Sequence, residues 1–332
     1  MIFKIISSKD ANKCILAHSI KLNNFSLKKG KILNEEDIYM LIKNKIENIY
    51  VAIKGKEDYS ENLSAKKIAK HISSFEFYEP EVNNGRADLF AKTSGMLKVN
   101  NQKLFEINSI FPEIAVCTLK NYSIIKKGQL VGNVKILPYA IKKFKVDKIL
   151  KDNNLKKIFQ VSKVKISKIA IIFTSNNISL LKKKKILTAV NSRLKNFNLV
   201  VNFEEVCKHN HKDLSNRIQK VMKKNPDLLL IYGESSISDL NDVVPRAVLD
   251  SKGKVLSSLL PTDPGNLLLV GSIQKTPLIG VPGCAKSIKR NGFDDVLERL
   301  CHGETFTKRK LLDLAEGGLY KTIIRKHFIE KS

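Results

Sequence analysis

The sequence predicts two α/β domains, the second of which is built around a mainly parallel sheet. The chain has 332 residues, of which 43% are hydrophobic, and this is enough for two buried cores. From residue 168 onward, short apolar runs alternate with helical patterns, as in repeated βαβ units. The runs 169–173 and 228–232 are continuously apolar, as expected for parallel strands covered on both faces. We therefore predict an α/β fold whose second domain has a three-layer αβα arrangement.

Residues 1–150 are predicted to form an N-terminal α+β domain. Apolar residues favour strands at 3–6, 14–20 and 49–53. Asn34 precedes three acidic residues and an apolar pattern of helical spacing, which predicts a helix capped by Asn34. A second helix is expected over 65–72.

The remainder of this domain is predicted to be rich in strands. From 82 to 138 the sequence changes to short apolar runs separated by glycines, with at most one helix. The stretch 140–165 is rich in lysine and sparse in apolar residues, so we expect it to connect the two domains.

The second domain is predicted to span residues 165–320. Strands are expected at 169–173, at 199–201 and, as the central strand, at 228–232. Helices are expected over 180–194 and 214–222, and again after Asn291, which caps the last of them. The lysine run 182–185 falls in the first of these helices, and we interpret it as a solvated helix face rather than a binding site.

Small polar residues follow several of the apolar runs. The run 169–173 ends at Thr174 and Ser175, and the run 228–232 ends at a turn that begins with Gly233. The run 278–281 leads into the turn 282–287, and 264–266 is a Pro-Gly-Asn segment. Ligands bind outside the carboxyl ends of strands in open α/β sheets, where glycine and small hydroxyl residues let the backbone approach an anion. The turns therefore predict an anion-binding site.

The same blocks resemble a known family. In order and spacing they look like the molybdopterin-binding (MoaB/Mog-like) domain of molybdopterin adenylyltransferases and molybdopterin molybdotransferases. The matching blocks are Gly233 with 242–245, 264–266 and 281–283. The whole chain resembles the N-terminal part of proteins that fuse such a domain to a molybdenum cofactor cytidylyltransferase, and the distinctive parts are 16–19, 28–30, 263–269 and 282–287. The sequence ends before the cytidylyltransferase half, so we expect that enzyme to be a separate protein.

This resemblance implies a role in molybdenum cofactor biosynthesis and maturation. The chain would bind molybdopterin or the molybdenum cofactor, a pterin phosphate, as a binding or carrier protein. Its partners would be a separate cytidylyltransferase or a molybdoenzyme. The resemblance also implies that Asp242 accepts hydrogen bonds from the pterin ring, while helix capping is the alternative role for this residue. The residues expected to bind the ligand are Thr174, Ser175, Gly233, Ser235, Ser236, Asp239, Asp242, Pro264, Gly265, Asn266, Pro282, Gly283, Cys284, Lys286 and Ser287.

Two departures from the family pattern lie on the nucleotide side of the site. The adenylyltransferases have a Gly-Gly-Thr-Gly turn, whereas here Glu234 follows Gly233, and an inward carboxylate would repel phosphates. His209 stands where the family has a metal-holding acid, and imidazole is a poor ligand for Mg²⁺. We therefore predict binding without adenylyl transfer, with no assigned catalytic residue or metal ligand and with Mg²⁺ disfavoured. An active nucleotidyl- or molybdenum-transferase is the alternative.

The formal net charge of +27 raises the question of a nucleic-acid partner. Lysines occur in nearly every segment, few aromatic residues lie among them, and no nucleic-acid-binding module is recognisable. We attribute the charge to compositional bias and do not expect nucleic acid as a partner. A basic polyanion-binding protein is the second alternative.

The cysteines and the hydropathy favour an intracellular protein. Five scattered cysteines, without a Cys-x-x-Cys pair, argue against a disulfide framework and a structural zinc site. No signal peptide or run of transmembrane length is present, so we expect a soluble cytoplasmic protein that does not contact a membrane.

Overall fold

The computed structural model describes residues 1–22, 25–177 and 179–320, and the chain divides into two compact units. The first unit comprises Met1–Lys163 and the second Val164–Ser332. Both units contain helices and strands, so the predicted mixed α/β fold is confirmed. Among the described residues, no helix combines the length and hydropathy needed to cross a membrane.

The described residues of the first unit form small antiparallel sheets and four α-helices. Its strands are β1 (Ile2–Ser7), β2 (Ile15–Leu16), β3 (Ile20–Leu22), β4 (Phe25–Leu27), β5 (Asn48–Ile53), β6 (Asp58–Ser60), β7 (Glu81–Asn83), β8 (Arg86–Phe90), β9 (Gly95–Val99), β10 (Ile114–Thr118), β11 (Ile124–Ile125), β12 (Leu130–Ile136), β13 (Ala140–Lys142) and β14 (Phe159–Ser162). Its helices are α1 (Glu35–Lys43), α2 (Glu61–Ile72), α3 (Asn101–Ile110) and α4 (Lys143–Lys151). The larger sheets have the strand orders β1-β5-β2, β10-β12-β8-β7 and β11-β9-β14.

The boundary between the two units falls between Lys163 and Val164, at the end of the stretch 140–165 that was expected to connect the domains. Most of this stretch belongs to the first unit, because it contains β13, α4 and β14, and Val146, Ile149 and Phe159 are fully buried in that unit's core. Phe144 of the same stretch is 64% exposed.

The prediction of one strand over 14–20 is wrong, because the chain forms two short strands, β2 and β3, in different sheets.

The second unit is a six-stranded sheet with helices. Its strands are β15 (Ile169–Thr174), β16 (Phe203–Cys207), β17 (Leu228–Gly233), β18 (Lys254–Ser257), β19 (Leu269–Ile273) and β20 (Thr276–Val281). Its helices are α5 (Leu180–Lys195), α6 (His211–Met222), α7 (Val243–Asp250), α8 (Gly292–Cys301) and α9 (Lys308–Leu312). The strand order is β16-β15-β17-β20-β19-β18, in which the first four strands are parallel and the last two pair antiparallel.

Helices cover both faces of this sheet. On one face Ile171 and Phe173 of β15 pack with α5 and α8, and on the other Ile172 packs with α6 and α7. This is why β15 and β17 are continuously apolar. The strand predicted at 199–201 forms instead at β16, an edge strand with alternating exposed and half-buried residues, so a search for an apolar run missed it.

Candidate functional site

The predicted ligand-binding blocks meet at one edge of the second unit's sheet. β15, β17 and β20 are parallel neighbours, with Thr174 opposite Gly233 and Tyr232 opposite Val281, so their following turns lie side by side. β19 runs antiparallel to β20 and begins at Leu269, opposite Gly280 near the end of β20. The segment 264–266, which precedes β19, therefore enters the sheet from the same edge.

Two of these turns present exposed backbone to solvent. A Cβ added to Gly233 would lie 2.9 Å from the carbonyl oxygen of Ser235, so glycine allows the sharp turn after β17. A Cβ added to Gly283 would contact only Ser236 Oγ, at 3.9 Å. The turns after β17 and β20 therefore lie next to each other. Ser235, Ser236 and Gly283 are exposed, and the described residues provide no acceptor for their backbone N–H groups. Such N–H groups are suited to bind an anion.

His209 links the ends of three strands. Its Nδ1 lies 3.1 Å from Thr174 Oγ1, and its Nε2 lies 3.1 Å from Ser235 Oγ. Thr174 Oγ1 donates its proton to the carbonyl oxygen of Lys208, at 3.1 Å. Because the hydroxyl proton of Thr174 is donated to Lys208, the threonine oxygen accepts the Nδ1–H of the ring, while Nε2 and the Ser235 hydroxyl form the second hydrogen bond. His209 thus joins the turns after β15, β16 and β17.

Glu234 connects the turns after β15 and β17. Its Oε2 accepts the backbone N–H of Asn176 at 2.9 Å. This bond, together with the Ser175 hydroxyl and the nearby His209 and Lys182, lowers the pKa of the carboxyl group. The carboxylate is therefore ionised at neutral pH and occupies a backbone N–H that could otherwise bind a phosphate.

Asp242 lies at the N-cap position of α7, but its side chain does not cap that helix. Its Oδ2 accepts the N–H of Ser238 at 2.6 Å and that of Asp239 at 2.9 Å. These two backbone bonds are the main cause of a lowered pKa, to which the Ser238 hydroxyl and His209 also contribute. The carboxylate holds the turn that follows Ser236, while the described residues provide no hydrogen bond to Oδ1.

A buried arginine, which the sequence analysis missed, holds the turn after β20. Arg193 in α5 is 7% exposed, and its Nε donates to Asp294 Oδ1 at 2.8 Å. The same guanidinium donates to the carbonyl oxygens of Ala285, at 3.0 Å, and Ser287, at 2.7 Å. Asp294 also belongs to the capping box of α8, formed with Asn291. One side chain thus joins α5, α8 and the turn 282–287.

The N-terminus of α8 also fixes the segment 264–266. Gly292 N–H donates to the carbonyl oxygen of Pro264 at 3.0 Å. Gly265 has φ +117°, and a Cβ there would lie 2.6 Å from Gly292 N, so only glycine fits. A cavity of about 510 Å³ borders Asp263 and Asn266, but its wall is mainly apolar and does not include the turns after β15, β17 and β20.

The remaining predicted ligand residues differ in accessibility. Thr174 is 1% exposed, and its hydroxyl is hydrogen-bonded to Lys208 and His209. Ser175 Oγ accepts the N–H of Asn177 at 3.2 Å. Cys284 is half-buried, whereas Asp239 and Lys286 are exposed. Pro282 is buried and Ser287 is exposed. The turns after β17 and β20 therefore offer more accessible groups than the turn after β15.

The carboxylates of Glu234 and Asp242 lie at this edge, and both accept hydrogen bonds from backbone N–H groups. The described residues bring no three His, Cys, Asp or Glu side chains together in a metal-binding group.

Comparison with known proteins found structural similarity only. No protein-family model and no curated protein matches the chain. The molybdopterin biosynthesis MoeA protein of Pyrococcus horikosii is 13% identical over 91% of this chain and 75% of its own, with a TM-score of 0.32. Molybdenum cofactor biosynthesis protein B is 18% identical over 42% of this chain and 88% of its own, with a TM-score of 0.31. A molybdenum cofactor biosynthesis protein of Pyrococcus furiosus is 12% identical over 94% of this chain and 65% of its own, with a TM-score of 0.26. We draw no functional conclusion from scores this low.

The buried arginine can be tested by unfolding. We expect Arg193→Met to lower the free energy of unfolding by about 3–5 kcal/mol, because Asp294 is left buried without its partner. Arg246→Met is the matched control, since Arg246 is exposed and pairs with Asp250 at 3.3 Å, and we expect a loss of less than about 1 kcal/mol there. Urea unfolding of both variants measures the difference. Equal losses would contradict the role of Arg193.

The role of Asp242 can be tested by its pH dependence. The folded protein lowers the pKa of this carboxyl group, so the ionised form is stabilised on folding. Its contribution is complete above the unfolded pKa of about 3.9 and is lost as the pH falls through the lower folded pKa. The difference in unfolding free energy between the unmodified protein and Asp242→Asn should therefore be constant above about pH 5 and shrink toward about pH 3. A difference that is the same at both ends of this range would be inconsistent with this assignment.

Proposed function

We propose that the second unit binds a pterin phosphate of the molybdopterin type and acts as a binding or carrier protein in molybdenum cofactor biosynthesis. The observation that carries the proposal is the convergence of the turns after β15, β17 and β20 at one edge of the sheet. The ligand's identity comes from the family resemblance of these turns. In this proposal residues 165–320 form a MoaB/Mog-like domain of three-layer αβα type.

The phosphate of the ligand would bind between the turns after β17 and β20. Ser235, Ser236 and Gly283 offer exposed N–H groups there, and Lys286 supplies a positive charge in the same turn. Backbone N–H groups and a nearby cation are the usual donors to a bound phosphate. Asp242 would accept hydrogen bonds from the aminopyrimidinone edge of the pterin with the oxygen that Ser238 and Asp239 leave available.

The groups that would bind a nucleotide in the family are replaced or already hydrogen-bonded in this chain. Glu234 occupies the Asn176 N–H with a carboxylate, and His209 is engaged by Thr174 and Ser235. Both residues oppose the binding of a nucleotide and its metal ion. The Glu234 carboxylate repels phosphates, and His209 supplies no oxygen ligand to a metal. This favours a carrier over an adenylyltransferase. The protein that receives the ligand would be a separate cytidylyltransferase or a molybdoenzyme.

Binding can be measured by titration with molybdopterin under anaerobic conditions. We expect a dissociation constant of about 1 μM or lower, about −8 kcal/mol. Gly283→Val should abolish binding, because its branched side chain would fill the space between the turn and Ser236. Gly283→Ala is the matched control of smaller volume and should weaken binding less. Thermal unfolding should be unchanged in both variants, since the added Cβ has ordinary contacts. A lack of binding by the unmodified, folded protein would refute the proposal.

A second experiment separates carrier from enzyme. With ATP, Mg²⁺ and molybdopterin, the unmodified protein should form no adenylylated pterin above background. His209→Asp combined with Glu234→Gly should then raise the affinity for ATP, because an oxygen ligand is introduced and the Asn176 N–H is released. Glu234→Gln with His209→Asp is the control, since the amide oxygen still occupies that N–H. Ready turnover of ATP by the unmodified protein would favour the transferase alternative.

A further inference from the structure

A groove lies along the edge of the second unit's sheet, away from the turns described above. β16 is the first strand in the sheet order and pairs with β15 on one side. In the described part of the chain, no strand pairs with its other side. The backbone N–H and C=O groups of an edge strand can pair with an additional strand from another chain.

The wall of this groove combines apolar side chains with polar and charged ones. A groove of about 850 Å³ runs between α5 and the segment leading into β16, and Leu180, Leu187 and Val200 line it. Leu180 is 85% exposed, Val200 is 55% exposed, and Val206, on the same face of β16 as Glu204, is 38% exposed. Large apolar side chains gathered at an unpaired edge are the features of a binding surface for an extended segment.

The charges along the groove are predominantly positive. Lys183, Lys184 and Lys195 line it together with one acidic residue, Glu204. Glu204 is paired with Lys183 at 3.0 Å. The described residues form no ion pair with Lys184 or Lys195. An occupant that complements this surface carries acidic side chains beside apolar ones.

On the opposite face of β16, Glu205 points to α6, where Arg217 at 2.6 Å and Lys224 at 3.2 Å neutralise its charge. On the groove side Lys183 is used by Glu204, which leaves Lys184 and Lys195 as the lysines that an acidic partner would contact.

We propose that the groove between α5 and β16 binds an extended acidic segment of a partner protein, which pairs with β16 as an added strand. Alternate side chains of the segment would face the groove, where apolar ones would contact Leu180, Leu187 and Val200 and acidic ones would pair with Lys184 and Lys195. A protein segment fits better than an anionic lipid surface, because the groove is concave and a lipid has no row of backbone groups for the edge of β16. This proposal is independent of the pterin site.

The probe is a fluorescein-labelled peptide of about twelve residues with the repeat Val-Thr-Glu-Thr, which places Val and Glu on the same face of the strand and is long enough to extend past β16. In fluorescence anisotropy at about 0.15 M salt, we expect a dissociation constant in the micromolar range. Two further peptides carry N-methyl groups on all Thr amides or on all Val and Glu amides. Alternate amides of a strand point to opposite edges, so strand pairing predicts that one of these peptides binds at least about tenfold more weakly than the other. Equal binding by both would overturn the strand-pairing claim.

Charge-reversal variants locate the binding site. Lys184→Glu with Lys195→Glu should weaken peptide binding at least about tenfold. Lys212→Glu with Lys223→Glu changes the net charge equally, on and just after α6 at the opposite face of the sheet, and should change binding less than about twofold. Equal losses in the two double variants, or no peptide binding, would overturn the proposal.

Two further measurements identify other occupants. The first is flotation of the protein with phosphatidylserine vesicles. If the protein floats with the vesicles, the peptide does not bind, and Lys184→Glu with Lys195→Glu abolishes flotation, the groove binds an anionic membrane surface. Sedimentation velocity of the protein alone tests whether a second copy occupies the groove. If the protein forms a dimer and the same double variant does not, the occupant of the groove is a second copy of this chain and not a partner protein. Either result would overturn the proposal.

Discussion

The turns at the carboxyl ends of the second unit's parallel strands depend on one buried charge. Arg193 reaches that edge from α5, and a buried guanidinium is tolerated only when its hydrogen bonds are satisfied. Asp294 and the carbonyl oxygens of the turn 282–287 satisfy it. Asp294 is itself held in the capping box of α8, and the first residue of that helix, Gly292, binds the carbonyl oxygen of Pro264. The positions of two separate sequence blocks thus follow from a single desolvated ion pair.

His209 and Glu234 provide the corresponding link on the other side of this edge. They connect the ends of β15, β16 and β17 through side chains, since the strands themselves end there and backbone pairing stops. The hydrogen bonds that fix these turns also consume the groups that a nucleotide and a metal would need. The turns after β17 and β20 keep their exposed N–H groups. Within the proposed function, the hydrogen bonds of His209 and Glu234 stabilise the turns on one side of this edge, and the unused N–H groups on the other side bind the ligand.

Sequence patterns predicted the buried elements well and the polar connections poorly. β15, β17, α5 and α6 follow from apolar runs and helical spacing, because burial on both faces imposes those patterns. β16 was missed because an edge strand alternates charged and apolar residues. The positions of the turns in the candidate site were predicted, but their internal bonds were not. Thr174 binds Lys208, which is distant in sequence, and Asp242 binds the N–H groups of Ser238 and Asp239 instead of capping α7. Arg193 had one usable signal, which is its place in the apolar stripe of α5 beside Ala189, Val190 and Leu194.

The groove and the candidate pterin site share one structural element, α5. This helix begins at Leu180, shortly after β15 ends at Thr174, and its buried Arg193 anchors the turn 282–287. Its outer side forms a wall of the groove. A segment bound along β16 would leave the strand-end turns uncovered, because the free side of an edge strand and the carboxyl ends of the strands face different directions. A partner docked in the groove would therefore leave the proposed ligand site accessible, as a carrier that delivers its cargo to another protein requires.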